Sequence, residues 1–344
     1  MKFLKRISVM IGVVLLLFLT IIGYFTLRKY HPDRKIVVAE NKAKPISLDI
    51  ITCMSWNIGY CGLDADMDFF YDGGEKVRTS KEKTEENLTF VKEQLSEAED
   101  IQCFLLQEVD TASKRSYYID QFDHISGVLP SYQGYFATNY NVDFVPVPLT
   151  NPLGKVRGGL ATFSGFIPKR VTRYAYPSSY SWPMNLFMLD RCFMVSEFML
   201  KNRQKLLVIN THNSAYDDGS LKHKEMNFLK KFLIDEYKKG NYVIVGGDWN
   251  QFPPGIEKYN DRFDLSKTSI IERNFMPSDW KWVADYETAT NRALDAPLNE
   301  NTRKSLIDFY LISPNVEVLD VQTHNQEFRH SDHHPVFARF RLVR

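Results

Sequence analysis

Cysteine is scarce in this chain of 344 residues, and the four present, Cys53, Cys61, Cys103 and Cys192, show no paired spacing. There is no C-x-x-C, so neither a thiolate zinc site nor a disulfide framework is implied, and thiols within apolar, strand-like runs read as buried. An excess of charge of either sign is also missing, the net being +1. Residues 1–35 hold +6 of it, in Lys2, Lys5, Arg6, Arg28, Lys29, Arg34 and Lys35 against Asp33, which leaves −5 on the remainder. A mildly acidic domain lacks the phosphate-neutralising surface that sequence-independent duplex binding draws on, which disfavours nucleic acid as the partner. Repeats and low-complexity tracts are absent too, leaving one globular domain as the reading.

What the chain does have is one long apolar run. From Ile7 to Leu27 there is no charged residue, and Lys2, Lys5 and Arg6 precede it. The length suits a helix crossing a bilayer and the basic front suits a secretion signal or signal anchor. No small-x-small cleavage site closes the run, which leaves through Tyr24-Phe25-Thr26-Leu27-Arg28, so residues 1–29 read as an uncleaved anchor with its transmembrane helix at about 7–27. Arg28, Lys29, Arg34 and Lys35 load the other flank and blunt the positive-inside rule. The expected placement is a membrane-anchored domain outside the cytoplasm, or a secreted one if the helix is cut. Residues 30–47, with His31-Pro32 and Lys44-Pro45, read as a polar linker, and 48–344 as the domain.

Strands and helices then alternate. Leu48 to Met54 is an opening strand; Thr79 and Glu82 read as a capping box before a helix with Leu88, Val91 and Leu95 on one face. Ile101 to Leu106 is a short, nearly all-apolar strand of the kind expected where both sheet faces are covered. Ala161–Phe166, Cys192–Leu200 and Lys205–Asn210 are further strands, the last two joined as a hairpin. An amphipathic helix from Ser220 to Lys239 is stopped by Gly240, and Tyr242–Val245, Leu306–Ile312 and Val336–Phe340 complete an α/β pattern.

A polar island stands at or just past the end of strand after strand. They are Asn57, Glu108, His212, Asp248 with Asn250, Asp308, and Asp332-His333. Strand ends in α/β sheets converge on a crevice, so these islands can meet. Asn57, Glu108, Asp248, Asn250 and Asp332 form an all-oxygen donor set, which favours magnesium, with manganese as the alternative, over zinc. Phosphate-ester hydrolysis needs such a cation and a base for the attacking water. His333 fits the base, Asp308 the carboxylate that fixes its tautomer, and His212 a second imidazole toward the phosphoryl oxygens.

The ordered series Trp56-Asn57-Ile58-Gly59, Leu106-Gln107-Glu108-Val109, Asn210-Thr211-His212, Gly246-Gly247-Asp248-Trp249-Asn250, Ile307-Asp308-Phe309 and Ser331-Asp332-His333-x-Pro335 resembles the endonuclease/exonuclease/phosphatase superfamily. That group includes DNase I-like nucleases, neutral sphingomyelinases and inositol polyphosphate 5-phosphatases, and the match spans nearly all of the chain after the anchor. The resemblance implies a four-layered α-β-β-α sandwich of two mixed sheets flanked by helices, here preceded by one hydrophobic helix. It implies Asn57, Glu108 and Asp332 at the metal, Asp248 and Asn250 positioning nucleophile and phosphate, and His212 on the phosphate. His333 is then the general base and Asp308 its orienter. Gly59 departs from the abasic-site endonucleases of the group, which carry an acidic residue there, and this points away from DNA repair.

Substrate contacts are expected from Arg115, Arg157 and Arg191, and from the aromatic stretch 174–187 with Tyr180 and Trp182, which reads as a lip over the active site or at a lipid surface. The segment 67–74 follows the Asn57 motif as a wall of the pocket. His124, His223 and His324 read as surface residues, and His330 and His334 as packing. The functional expectation is a monomeric, membrane-tethered, magnesium-dependent hydrolase of a phosphodiester or phosphomonoester, lipid head-group diesters first. An extracellular nuclease and an inactive metal-binding surface module are the alternatives.

Overall fold

The computed structural model describes residues 2–215, 218–266 and 268–343. Two mixed sheets lie face to face. The first runs, in spatial order, Lys35–Glu40, Arg170–Ala175, Cys192–Met199, Lys205–His212, Tyr242–Asp248, Asp308–Ile312 and Lys281–Val283. The second runs Val316–Thr323, Val336–Leu342, Ile50–Asn57, Cys103–Asp110, Gly154–Ser164 and Gln133–Val145. Each sheet has one parallel pair, Ile50–Asn57 with Cys103–Asp110 and Lys205–His212 with Tyr242–Asp248.

Alternation along the strands builds the layers. Cys53, Cys103 and Leu105 face Val208, Ile244 and Tyr310 across the inter-sheet core. The residues between them point outward. Trp56, Phe104 and Leu106 meet Leu88, Val91 and Leu95 of the helix Lys81–Glu97, while Val243 and Val245 meet Met226, Leu229 and Leu233 of the helix Ser220–Tyr237. Strands buried on both faces read as continuous apolar runs, which is why the central ones were legible in the sequence. The result is the expected four-layered sandwich, with an apolar helix from Lys2 to Arg28 in front of it.

Three expectations need correction. The segment 30–47 is no free linker, because Lys35–Glu40 pairs antiparallel with Arg170–Ala175 as the edge of the first sheet. The helix at residue 81 is capped by Ser80, whose side chain accepts from Lys83 N–H at 3.1 Å, and not by Thr79. The longest strand, Gln133–Val145, carries no clear signal in the sequence, because Thr138, Asn141 and Asp143 interrupt its outer face and it lies at a sheet edge.

Gly247 shows how tightly the strand ends are drawn together. At φ 153° it faces the neighbouring strand so closely that a Cβ would lie 2.0 Å from Thr211 O. Gly247→Ala is therefore expected to cost about 3 kcal/mol of stability, through strain at a site that cannot yield. A calorimetric Tm within about 1 °C of wild type would contradict this.

Candidate active site

Pairing register places three of the six polar islands side by side. His212 pairs with Asp248, and Asp248 with Asp308, across three adjacent strands of the first sheet. Asn57 and Gln107 pair on the second sheet. Amide bridges stitch the two rows together: Asn57 Nδ2 donates to Asp248 Oδ2 at 3.0 Å and to Glu108 Oε1 at 3.3 Å, and Gln107 Nε2 donates to Asn210 Oδ1 at 2.8 Å. Glu108 sits in a β-bulge between Leu106 and Val109 with φ 54°. Bulges re-aim side chains, and here the bulge turns a carboxylate into the cleft. Asn250, at φ 50°, follows a turn closed by Asp248 Oδ1 accepting its N–H at 2.9 Å.

The Asp332-His333 pair arrives from the last loop and is fixed from several sides. His333 Nδ1 lies 2.8 Å from Asp308 Oδ2, Trp56 Nε1 donates to His333 O at 3.0 Å, and Ser331 Oγ donates to Asn57 O at 3.0 Å. With Nδ1 held by a carboxylate, Nε2 is the basic position, and it faces the cleft 3.8 Å from Asp248 Oδ2 and from Asp332 Oδ2. Asn291 Nδ2 also reaches Nε2, at 2.9 Å, while its Oδ1 accepts from Ser305 Oγ at 2.9 Å. Nothing in the sequence Thr290-Asn291-Arg292 marks Asn291, which lies in a two-residue strand paired with Lys304–Ser305, as a contact of the base, since an Asn in a polar stretch is an ordinary turn residue. His330 and His334 are packing residues, stacked on Phe90 and Phe328.

Four carboxylates, Glu108, Asp248, Asp308 and Asp332, thus crowd one cleft. Burial, with Glu108 nearby, pushes Asp332 up to about 7, and burial, with Asp308 nearby, pushes Asp248 up to about 6. Burial alone would lower His333, but Asp308 and Asp332 outweigh it and hold the imidazole well above its ordinary 6.5. His212 goes the other way. Burial and the cations of Arg191 and Arg115 keep it neutral, well below 6.5.

Such a cleft fits a divalent cation. Asp332 Oδ1 is buried with no hydrogen-bond partner, and an oxygen left bare in this way needs a counter-charge. The atoms of Asp248, Asp308 and His333 also lie within 4.8 Å of one another, but the His333–Asp308 hydrogen bond already closes that group. Glu108 and Asp332 are thus the better donors. Asn57 Oδ1 accepts from Gly59 N–H at 3.0 Å, so its amide holds the carboxylates together through nitrogen. Gly59 itself is required, as a Cβ there would lie 2.8 Å from Asp332 Oδ1.

The cleft opens into a cavity of about 460 Å³ that Glu108, His212, Asp248, Asn250, Asp332 and His333 line. Phe69, Tyr71 and Asp72 from the 67–74 segment form one wall, as expected. Of the five expected substrate contacts, Arg115 and Arg191 line the cavity and the others do not. Arg115 is bound by Asp110 through two hydrogen bonds, of 3.0 and 2.9 Å, with its guanidinium 3.8 Å over the Tyr60 ring. Arg191 is buried with Nη1 unpartnered. Arg157 is exposed on its strand, and Trp182 donates from Nε1 to Thr26 Oγ1 of the N-terminal helix at 3.2 Å. Tyr180 lies in the same outer loop. The aromatic lip is therefore split, since Tyr176 is buried and bonded to Thr211 at 2.7 Å.

The architecture is shared with solved proteins of the endonuclease/exonuclease/phosphatase fold. One such protein from Beutenbergia cavernae is 16% identical and aligns with a TM-score of 0.56 over 86% of this chain and 72% of its own. Another, from Bacteroides vulgatus, is 15% identical, with a TM-score of 0.52 over 86% of this chain and all of its own. ANGEL2, a 2′,3′-cyclic phosphatase, is 15% identical, with a TM-score of 0.53 over 89% of this chain and 99% of its own. No family model and no curated protein matches the chain.

Proposed function

We propose that the chain is a membrane-tethered, metal-dependent phosphoesterase of the endonuclease/exonuclease/phosphatase superfamily, acting outside the cytoplasm on a lipid head-group phosphodiester, with magnesium as its ion. The observation that carries the chemistry is the Asp308–His333 dyad, with Nε2 facing a cleft of carboxylates. His333 Nε2 takes the proton of the attacking water, while Asp308 holds Nδ1–H and stabilises the imidazolium that forms. Asp248 and Asn250 orient the water and the phosphate. His212, kept neutral, donates a hydrogen bond toward a phosphoryl oxygen, and Arg191 offers an unpartnered Nη1 to another. Glu108 and Asp332, with Asn57 beside them, are the residues that would hold the cation. When bound, the cation supplies charge that stabilises the phosphoryl oxygens and lowers the proton affinity of His333 toward that of a working base.

Support for a lipid substrate comes from the apolar helix, the −5 balance of residues 36–344, and the cavity walls of Tyr71, Tyr140, Leu153, Met188 and Leu189. The test is a substrate panel offered to the full chain with Mg²⁺: sphingomyelin, phosphatidylinositol phosphates, a chromogenic phosphodiester and plasmid DNA. Turnover is expected to be fastest on a lipid diester. Plasmid cleavage that outpaces the lipids and weakens steeply with salt would replace this reading with a nuclease.

A further inference from the structure

We propose that two loops beside the C-terminal end of the N-terminal helix, residues 143–153 and 178–190, form a membrane-docking face that sets the mouth of the catalytic cavity on the bilayer surface. This rests on the reading of the helix as a bilayer span.

At 1.5 Å per residue, the uncharged run from Ile7 to Leu27 covers roughly 30 Å, the thickness of a hydrocarbon core. Phe25 and Thr26 then lie within about 5 Å of its edge, so whatever touches them is held at the interface. Two loops are tied to that end. Phe187 packs edge-on against Phe25 with ring centroids 5.3 Å apart, Trp182 Nε1 bonds Thr26 Oγ1, and Asp143 pairs with Arg28 at 3.2 Å. Among the described residues, the helix before Ile22 has no comparable contact, and it is exposed along nearly its whole length.

The same loops carry large apolar side chains into the open. Leu149 is 88% exposed, Trp182 59% and Met184 55%, with Phe144 and Val147 beside Leu149 on the hairpin tip between Gln133–Val145 and Gly154–Ser164. Five such side chains gather on these two loops, whereas the domain's other exposed large apolar residues, such as Val37, Tyr118 and Ile167, come singly along the chain, and a gathering of this kind marks a contact surface. Their position at the end of a bilayer span identifies the contact as lipid, into which Trp and Leu at this level sink as anchors. Both loops continue directly into the active cavity. The hairpin contributes Tyr140 and Leu153 to its wall, the other loop Met188 and Leu189, and Tyr140 Oη joins the two by donating to Phe187 O at 2.9 Å. Docking the loops therefore presents the cavity to head groups lying in the membrane plane.

The test uses the full chain in phosphatidylcholine nanodiscs with nitroxide labels at Leu149→Cys, Met184→Cys, Leu15→Cys and Ile167→Cys; the native cysteines are buried. Ile167 is exposed at the far end of the strand that starts at Gly154, and so reports the water-facing side. Collision with an aqueous relaxant is expected to be on the order of threefold lower at 149 and 184 than at 167, with lipid-soluble oxygen favoured instead. Equal aqueous access at 149, 184 and 167, with 15 still buried in lipid, would overturn the docking face while leaving the span intact. A water-accessible label at 15 would refute the span and the face together. None of these readouts involves turnover, so they stand apart from the assignment of the phosphoesterase chemistry.

Discussion

His333→Ala is expected to lower kcat on the order of a thousandfold while the fold survives, because it removes the imidazole whose Nε2 reaches the carboxylate cleft while Asp308 holds its Nδ1. The loss should fall on kcat with KM little changed, since the ring is assigned to proton transfer and not to holding the substrate. Some stability will go too. Asp308 is buried, its Oδ1 already has no partner, and removing the ring strips Oδ2 of its partner as well, at a cost of about 3 kcal/mol. His333→Gln separates the two effects. Its amide can still donate to Asp308, so it should recover much of the Tm while remaining as slow as the alanine variant. Turnover near wild type in either variant would refute the assignment of His333 as base.

The second large effect is expected from the metal. Glu108→Ala is predicted to weaken Mg²⁺ binding by at least about a hundredfold, and EDTA to stop turnover of the wild type. The pH dependence has a definite sign. A cation binds only ionised carboxylates, and Asp332, one of the two that would hold it, is raised to about 7. Protons therefore compete with the metal below that value. Affinity should rise between about pH 5.5 and 8 and then level off, with protons released on binding at the lower end. Titration calorimetry at pH 6 and pH 8 measures both quantities. An affinity flat across that interval, with no proton release, would remove the carboxylate cleft as the metal site.

The parts of the molecule that were legible in the sequence share one physical origin. Strands covered on both faces, such as Cys103–Asp110 and Tyr242–Asp248, must be apolar throughout, so a polar residue at their ends stands out. That contrast located Asn57, Glu108, His212, Asp248 and Asp308 before any geometry was known. The edges of the sheets carry no such contrast. Lys35–Glu40 looked like a linker because a short edge strand with charged ends differs little from a tether. Gln133–Val145 carries Thr138, Asn139, Asn141 and Asp143, and an edge position tolerates all of them.

Side-chain partners were legible least of all. Arg115 reads as a phosphate contact, but its fork belongs to Asp110, five residues earlier at the end of the strand that carries the bulge at Glu108. Trp182 reads as part of a lip over the active site or at a lipid surface, and the sequence gives no sign that its indole meets the N-terminal helix 156 residues away. Asn291 gave no signal, because what makes it notable is the approach of a loop to His333 that only the assembled sheets produce. Long-range pairings of this kind depend on how strands cross, and local pattern does not encode that.

The measurement that bears most directly on the chemistry is hydrolysis of the fastest substrate in the panel by the full chain, followed before and after chelation. Product release that ceases with EDTA and returns with excess Mg²⁺ is the predicted result, and the same rate with EDTA present would contradict a metal-dependent site.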